Sequence, residues 1–386
     1  MAEIKDITEA RKKILGNYFD YSMLFMVIFL LGFGLLMVYS ASSYTSEQSY
    51  GDAAYYLKRQ FIADVLGIIA MFVVMFIPYK FWSKFPIAAY AISIVSIILI
   101  IPFGIESHGA KRWLKVAFGF NVQPAEIAKL CMIVVLAVVV AKMGKGIRAW
   151  KGFFVAIGWS LPIAALIRLI TNNMSSALIV VGIAFLMVFV ASPDYKKFIL
   201  MVLAGAALFA VLVLVARAGM SNGNFRFGRL AVWLDPESQA QGQGFQVLQG
   251  LYAIGSGGIF GKGLGESMQK INYLPEAQND MIFSVVCEEL GIFGAFGIML
   301  IFLLLLWRMM IVAQNAKDSF GLMLVVGVMA HIAIQVMLNI AVVSNSIPNT
   351  GVSLPFISYG GSSVLFLMAE IGLVFSVARG IEVSQS

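Results

Sequence analysis

Long apolar runs alternate with short polar segments along almost the whole chain. A helix needs about 20 predominantly apolar residues to cross the hydrocarbon core of a bilayer, so the pattern predicts ten transmembrane helices. The fold class expected is an all-α polytopic membrane protein, with residues 1–386 forming a single membrane domain. The predicted spans are Tyr21–Ser40, Phe61–Pro78, Phe85–Ile105, Pro124–Ala141, Gly152–Thr171, Met174–Ala191, Phe198–Ala216, Met281–Trp307, Phe320–Val343 and Leu354–Val377.

The composition excludes a soluble enzyme. Hydrophobic residues make up 60% of the chain and charged residues only 12%, whereas soluble domains carry about 25% charged residues. The 2 cysteines and 2 histidines argue against a disulfide framework and a histidine metal site. The basic residues form no large cluster, so nucleic acid is not an expected partner.

The basic residues also predict the orientation. An even number of spans puts both termini on one side of the membrane. If both termini are cytoplasmic, more than half of the 27 Lys and Arg residues lie in inner segments. Residues 1–18 then form a cytoplasmic N-terminal segment, followed by a retained first helix. The remaining basic residues gather in two outer loops, near 106–123 and 218–280.

The outer loop at 218–280 is far longer than a connector needs to be. It contains an amphipathic stretch, Phe245–Ile259, and a glycine-rich piece around Lys262. No Ser or Thr follows Lys262 as a nucleotide-binding P-loop requires. We expect this backbone either to approach a ligand or to re-enter the membrane edge. The alternative is a flexible surface loop.

Ionisable residues inside a span are costly, at about 2.5–3.5 kcal/mol on insertion scales, and therefore indicate function. Glu126 and Lys129 lie on one face of the fourth span at i,i+3 spacing. They form either a salt bridge that fixes helix packing or the wall of a polar cavity in which Lys129 binds an anionic head group. Asp64 and Glu370 are interpreted as structural residues or as cavity lining.

Asp280 begins the eighth span, directly after the long outer loop. A carboxylate at this boundary, with its pKa raised by partial burial, is suited to general-base catalysis. The alternative is a charge that complements the helix dipole. The segment 344–363, rich in Pro, Gly and hydroxyl residues, predicts either a broken, cavity-lining entrance to the last span or an ordinary loop followed by a small-residue packing face.

Three stretches make the chain resemble the SEDS family (shape, elongation, division and sporulation) of FtsW, RodA and SpoVE. The resemblance covers nearly the whole length, and its details are closest to the FtsW and SpoVE branch of division and sporulation. The stretches are Gly109–Leu114 with Gln123–Lys129; Gly244–Gln246, Gly261–Gly265, Tyr273–Asp280 and Glu288–Gly291; and Leu354–Ser363.

This resemblance implies a peptidoglycan glycosyltransferase that polymerises lipid II, an undecaprenyl diphosphate-linked disaccharide peptide, at the outer face of the bacterial cytoplasmic membrane. It implies inversion at the donor sugar, a class B penicillin-binding protein as transpeptidase partner, and association with divisome proteins. Asp280 matches the catalytic aspartate. Lys111, Arg112 and Lys129 are candidates to stabilise the diphosphate, with a divalent cation (Mg or Mn) as a further candidate. The other expected substrate-binding residues are Glu126, Glu276, Tyr359 and Ser362.

The chain departs from the family pattern at several positions. Ala125, Asn279 and Met281 replace the usual Ser, Thr and Phe, and Asn172–Ser176 replaces a stretch that usually carries an acidic residue. No site role is therefore carried over to Asn172–Ser176. Two other functions use the same cavity or the same partner: a lipid II flippase, and a non-catalytic scaffold that activates the transpeptidase.

Overall fold

A computed structural model describes residues 19–107, 110–115, 121–192, 194–221, 228–242, 244–271 and 273–381. The predicted N-terminal segment 1–18 lies outside the described residues, as do Gly109 of the first family stretch and parts of the large loop at 222–227, 243 and 272.

Ten helices in the described part of the chain are long and apolar enough to cross a membrane, which confirms the predicted number of spans. Two short helices of the large loop are included in the numbering, so the eighth to tenth spans are α10–α12. The helices are α1 (Tyr21–Tyr50), α2 (Tyr55–Phe76), α3 (Pro86–Phe103, broken at Leu99), α4 (Pro124–Met143), α5 (Trp150–Thr171, broken at Trp159), α6 (Met174–Ala191), α7 (Tyr195–Ser221), α8 (Gly228–Leu234), α9 (Phe245–Gly257), α10 (Ile282–Gln314), α11 (Ser319–Val343) and α12 (Gly361–Ala378).

The first helix is longer than its apolar run. It was predicted to end at Ser40, but α1 continues to Tyr50, giving 30 residues. At 1.5 Å per residue this is about 45 Å, which exceeds the hydrocarbon thickness of about 30 Å. The last turns of α1 therefore project beyond the membrane core.

The third span ends earlier than predicted, because the chain leaves the helix at Phe103 and enters a small sheet. Its strands are β1 (Gly104–Ser107), β2 (Ala110–Lys115) and β3 (Asn121–Val122), antiparallel in that order. Glu106 pairs with Lys111 in the register. Successive residues of a strand point to opposite faces, so Lys111 and Arg112 face in different directions.

The tenth span also begins later than predicted. It was expected from Leu354, but the helix starts at Gly361. The preceding residues are not helical, and Leu354, Phe356 and Ile357 are buried in the protein. This confirms the predicted broken entrance to the last span, since irregular backbone at this depth needs protein partners.

The most buried spans are α11 and α12, which form the centre of the bundle. The span α7 lies at the edge, with only 6% of its apolar stretch buried. Every second connection between spans lies at the same end of the bundle, as the predicted topology requires. We call the end that carries the sheet, residues 172–173, 228–281 and 344–360 the loop-rich end. At the opposite end, Arg308 pairs with Asp20 at 2.8 Å and Lys80 with Asp318 at 3.4 Å. Assignment of the loop-rich end to the outer face stays a prediction from the basic residues.

Candidate active site

A kink in α10 shapes the floor of the loop-rich end. Gly291 interrupts the helix with φ 65° and ψ −164°, which releases backbone groups on both sides. The glycine-rich loop supplies their partners. The amides of Lys262 and Gly263 donate to the carbonyl oxygens of Glu288 and Glu289 at 2.9 Å each. The backbone at 258–263 therefore packs against the opened helix, and its approach to a ligand stays a prediction.

Two buried carboxylates hold the same loop in place. Glu288 accepts hydrogen bonds from Lys262 at 2.6 Å and Ser256 at 3.2 Å. Glu289 accepts from Lys270 at 2.7 Å and from Ser40 of α1 at 2.6 Å. Breaking a buried pair leaves an uncompensated charge and is strongly destabilising. These glutamates are therefore structural clamps that anchor the loop preceding Asp280.

Asp280 lies in a turn two residues before α10 and is held from several directions. The side chain of Asn339 on α11 donates to the carbonyl oxygens of Asp280 at 2.8 Å and of Val352 at 2.7 Å. The side chain of Gln246 on α9 donates to Asp280 Oδ1 at 3.5 Å. Asn349 in turn donates to Gln246 Oε1 at 3.1 Å. Asn339 thus fixes the backbone at Asp280, and Gln246, itself held by Asn349, contacts its carboxylate.

The electrostatic surroundings suit this carboxylate to proton transfer. Burial raises the pKa of Asp280 to about 6, the negative charge of Glu276 acts in the same direction, and Arg229 opposes it. Burial lowers the pKa of the Arg112 guanidinium. The nearby positive charge of Arg229 lowers it further. Two arginines and a carboxylate with a near-neutral pKa therefore share one region.

A polar cavity of about 60 Å³ opens beside Asp280. Lys129 and Glu126 lie in its wall, both buried and paired at 2.8 Å, so the predicted ion pair and the predicted cavity wall are one and the same. The remaining lining residues are Gln123, Asn173, Ser175, Ser176, Ile179, Gln335, Gly351, Val352 and Ser353.

Gly351 connects this cavity to Asp280. It lines the cavity, and a Cβ atom placed on it would lie 3.6 Å from Asp280 Oδ2. Its φ of 64° is a conformation that residues with side chains rarely adopt. The absence of a side chain here keeps the space between the carboxylate and the cavity open.

The other predicted site residues surround this centre. Arg112 donates from Nε to the carbonyl oxygen of Thr171 at 3.3 Å and from a terminal nitrogen to that of Asn172 at 3.1 Å. Lys111 is exposed on the sheet. The hydroxyl of Ser362 accepts from the amide of Gln123, a residue of the cavity wall, at 3.4 Å.

Tyr359 and Glu276 lie on the Asp280 side of the site. The amide of Tyr359 donates to the carbonyl oxygen of Gln278 at 2.9 Å. Glu276 has a left-handed backbone, with φ 55°, and its carboxylate accepts a hydrogen bond from the side chain of Asn279. All these residues belong to the loop-rich end.

The two remaining intramembrane acids lie in spans packed against α12 or within it. Asp64 accepts from Gln60 at 2.9 Å, and Glu370 contacts His331 Nδ1 at 2.7 Å. Lys129 lies close enough to act electrostatically on both Glu370 and His331. Within the described residues, no group of three or more His, Cys, Asp or Glu could hold a metal ion.

Sequence reasoning missed several residues of the site. Gln246, Gln335 and Asn339 are neutral amides, so a search for intramembrane charge passes over them. Arg229 was counted only among the basic residues of the outer loop. The cavity also includes Asn173, Ser175 and Ser176, to which no role had been assigned.

A family model described as "Cell cycle protein", which covers FtsW, RodA and SpoVE, matches residues 21–382. The chain belongs to this family. It is accordingly a multi-pass bacterial membrane protein, as predicted.

Two curated relatives match the chain over most of its length. It is 38% identical over 364 residues to the stage V sporulation protein E of Bacillus subtilis, covering 93% of this chain and 97% of that protein. It is 36% identical over 368 residues to a probable peptidoglycan glycosyltransferase FtsW of Trichlorobacter lovleyi, covering 95% of this chain and 94% of that one. These relatives agree with the predicted FtsW and SpoVE branch.

Solved structures share the fold. A chain from a peptidoglycan synthase complex, described as coordinating polymerization and crosslinking, superposes with a TM-score of 0.74 at 28% identity, covering 94% of this chain and 98% of that chain. The Thermus thermophilus rod shape determining protein RodA superposes with a TM-score of 0.66 at 25% identity, covering 94% and 97%. The ten-helix architecture is therefore that of the family.

Proposed function

We propose that this chain polymerises lipid II at the outer face of the cytoplasmic membrane, with Asp280 as the general base. The enzyme class predicted from the sequence, a peptidoglycan glycosyltransferase, is confirmed by the relatives described above. The observation that carries the proposal is the placement of a half-buried carboxylate, with a pKa of about 6, beside a polar cavity that contains the Lys129–Glu126 pair. A general base works best when its pKa lies near the operating pH.

The reaction needs one proton acceptor and one stabilised leaving group. Asp280 takes the proton from the hydroxyl of the acceptor sugar as its oxygen forms a bond to the anomeric carbon of the donor. The bond from that carbon to the diphosphate oxygen breaks, and the electron pair leaves with the polyprenyl diphosphate. Attack opposite the leaving group inverts the anomeric centre.

Cationic side chains provide the electrostatic stabilisation of the leaving group. Arg112 and Arg229 lie close to one another, and Arg229 also lies near Asp280. Lys129 sits in the cavity wall beside Glu126, which offsets its charge when no substrate is bound. Charge fixed in place before reaction stabilises a developing anion at little reorganisation cost. Exposed Lys111 extends this basic region outward.

The oxygen chemistry of the site is compatible with a divalent cation. Mg²⁺ is commonly held by one or two carboxylates together with substrate phosphates. Glu276, whose negative charge acts on Asp280, would contribute the carboxylate, and the substrate would contribute the phosphates. When bound, such an ion would neutralise charge on the diphosphate.

The shape of the site fits a substrate anchored in the bilayer. The cavity is smaller than most small-molecule sites, so it accommodates part of the head group rather than the whole disaccharide peptide. Tyr359 bonds through its backbone amide to Gln278, two residues before Asp280, and the hydroxyl of Ser362 bonds to Gln123 of the cavity wall. The lipid tail would remain in the membrane beside the bundle.

The partner we propose is a class B penicillin-binding protein, together with divisome proteins. The solved relative with a TM-score of 0.74 belongs to a synthase complex in which polymerization is coordinated with crosslinking. Similarity to a sporulation protein and to FtsW proteins favours a role in cell division or in building the sporulation septum or cortex.

Purified chain, reconstituted with its transpeptidase partner and given labelled lipid II, tests the proposal. We expect glycan strands to form in the presence of moenomycin, a drug that acts on unrelated peptidoglycan polymerases. The flippase alternative predicts movement of labelled lipid II across the bilayer without polymer. The scaffold alternative predicts neither movement nor polymer from this chain, and either result would contradict the proposal.

A further inference from the structure

Four tyrosines form a connected aromatic surface at the loop-rich end. The ring of Tyr50 stacks on that of Tyr55, with centroids 3.9 Å apart and planes 11° apart. Tyr55 meets Tyr56 edge to face at 5.4 Å, and Tyr56 meets Tyr359 in the same way at 4.8 Å. We call these four residues together with Arg59 the tyrosine platform.

The tyrosine platform stands beyond the apolar core of the membrane. Tyr50 is the last residue of α1, in the part that extends past the predicted span, and its side chain is 53% exposed. The guanidinium of Arg59 lies 5.2 Å from the ring centroid of Tyr55 and hydrogen-bonds the hydroxyl of Tyr359. Tyr50 and Arg59 are exposed and the other three rings are partly buried, so aromatic rings, hydroxyl groups and a cation lie together near the surface.

The tyrosine platform is rigidly joined to the catalytic segment. Tyr359 donates its amide hydrogen to the carbonyl oxygen of Gln278, two residues before Asp280, at 2.9 Å. The next residue, Gly360, donates to the side chain of Gln60 on α2 at 3.1 Å. The chain around Tyr359 is therefore tied both to the Asp280 turn and to the helix that carries Tyr55 and Tyr56.

Glu276 connects the two regions electrostatically. Its carboxylate lies close enough to act on both Tyr56 and Asp280. A substrate seated at Asp280 would therefore have the tyrosine platform as its neighbour on the Glu276 side. This continuity distinguishes the platform from the scattered interfacial tyrosines that anchor membrane proteins.

The chemistry of the tyrosine platform matches a carbohydrate. Tyrosine offers a large apolar face and a hydroxyl handle with little loss of conformational freedom. A pyranose ring has one face of C–H groups that packs on such rings and a rim of hydroxyls that hydrogen-bonds. A cation beside the rings adds attraction for the carboxylate groups of a peptide attached to the sugar.

We propose that the tyrosine platform is a saccharide subsite, which binds the glycan strand one or more sugar units away from the reacting bond. This inference rests on the proposed function, because it takes the substrate at Asp280 to be a glycan. Binding there would hold the strand between successive transfers, so the platform would determine strand length and substrate affinity rather than the chemical step.

The test uses full-length protein with Tyr50→Ala and Tyr55→Ala. Tyr44→Ala is the matched control, because Tyr44 lies on the same helix with a similar exposed fraction of 45%. Tyr50→Phe keeps the ring stack and removes only the hydroxyl. Three quantities are measured for each variant: the KM for lipid II, the length distribution of the strands, and binding of a lipid-free tetrasaccharide of two disaccharide units by saturation-transfer NMR.

We expect Tyr50→Ala and Tyr55→Ala to raise KM about tenfold, to shorten the strands and to lose tetrasaccharide binding, with single-transfer kcat and melting temperature close to wild type. Tyr50→Phe should retain most binding, and Tyr44→Ala should retain all of it. Unchanged KM, strand length and tetrasaccharide binding in both alanine variants would overturn the inference.

The same experiment separates this inference from the polymerase proposal. Asp280→Asn should bind the tetrasaccharide normally while making no polymer. If wild-type protein makes no polymer but binds the tetrasaccharide through Tyr50, the saccharide subsite stands and the polymerase proposal fails. If polymer forms but tetrasaccharide binding does not depend on Tyr50 or Tyr55, the subsite alone is wrong.

Discussion

The role proposed for Asp280 follows from its surroundings. Its carboxyl lies half-buried at the end of a polar loop, where Gln246 donates to Oδ1 and Asn339 donates to the backbone carbonyl oxygen of the same residue. Burial and Glu276 raise its pKa to about 6, and Arg229 limits the rise. The ionised form thus predominates at neutral pH, while remaining basic enough to take a proton in the transition state.

The pH dependence of the reaction follows from this pKa. A general base acts only when it is deprotonated, so kcat/KM should rise with pH to a plateau, with its midpoint near pH 6. Activity should fall about tenfold for each pH unit below that midpoint. Initial rates of lipid II polymerisation from pH 4.5 to 8.5 measure this profile, with melting temperature recorded at each pH. A flat profile across that range would contradict a base role for Asp280.

Arg229 provides a second test at the same scale. Arg229→Gln should lower kcat about 10- to 100-fold, because a preorganised charge near the leaving group is lost. It should also move the pH midpoint upward, since Arg229 lowers the pKa of Asp280. Arg217→Gln, at an exposed position on α7, is the matched control. A loss of rate with no movement of the midpoint would contradict the proximity of Arg229 to Asp280.

Charged residues inside apolar runs could be predicted from the sequence, whereas the neutral amides of the site could not. Lys129 and Glu126 stand out because a charge in an apolar run is costly. Gln335 and Asn339 lie in an equally apolar run but carry no charge, and amides occur in many helices for packing reasons. Their role depends on contacts with residues distant in sequence, such as the 2.8 Å bond from Asn339 to Asp280.

The kinked start of α10 is the element on which the site depends. The kink at Gly291 opens the helix, the glycine-rich loop fills the opening, and Glu288 and Glu289 clamp that loop through Lys262 and Lys270. Because the loop leads directly into the Asp280 turn, the kink sets where the carboxylate stands.

Gly291→Ala tests this dependence. A Cβ at this position would lie 2.4 Å from the amide nitrogen of Gly261 and from the carbonyl oxygen of Ile259, and φ is 65°. We expect destabilisation of about 2 kcal/mol or more and little polymerase activity. Gly297→Ala, in open space on the same helix, should be neutral or slightly stabilising. The melting temperatures of both variants in detergent measure the difference, and equal values would show that the kink is not required.

Helix boundaries were less predictable than the helices themselves. The apolar run of the first span ends near Ser40, but α1 continues to Tyr50 because Tyr50 stacks on the start of the next helix. The third span loses its last two predicted residues to a strand, in which Gly104 pairs with Leu114. Both changes arise from tertiary contacts, which hydrophobicity along one segment does not report.

At the scale of the whole molecule, the account requires the loop-rich end to face outward. The test uses protein with Cys131 and Cys287 replaced by serine and one new cysteine at an exposed position. A membrane-impermeant maleimide applied to intact cells should label Glu266→Cys in the glycine-rich loop and leave Lys145→Cys at the opposite end unlabelled. Labelling of Lys145→Cys alone would reverse the topology and remove Asp280 from the face where the glycan is made.

The overall architecture was the most predictable level, since ten apolar runs are confirmed as ten spans. The arrangement of spans around α11 and α12 was not predictable, because apolar residues facing lipid and apolar residues facing protein have the same hydropathy. The cavity beside Lys129 is formed by α4, α6, α11 and the segment at Gly351–Ser353. Only their assembly shows that the cavity containing Lys129 extends to Gly351, which lies next to Asp280.

The central claim is that Asp280 performs the base chemistry beside this cavity. Single-turnover polymerisation of labelled lipid II by wild-type protein and by Asp280→Asn, each with its transpeptidase partner, tests it most directly. The account predicts a rate lower by about 100-fold or more for Asp280→Asn, with an equal or higher melting temperature, because a partly buried charge is removed. Glycan synthesis at the wild-type rate by a folded Asp280→Asn variant would contradict it.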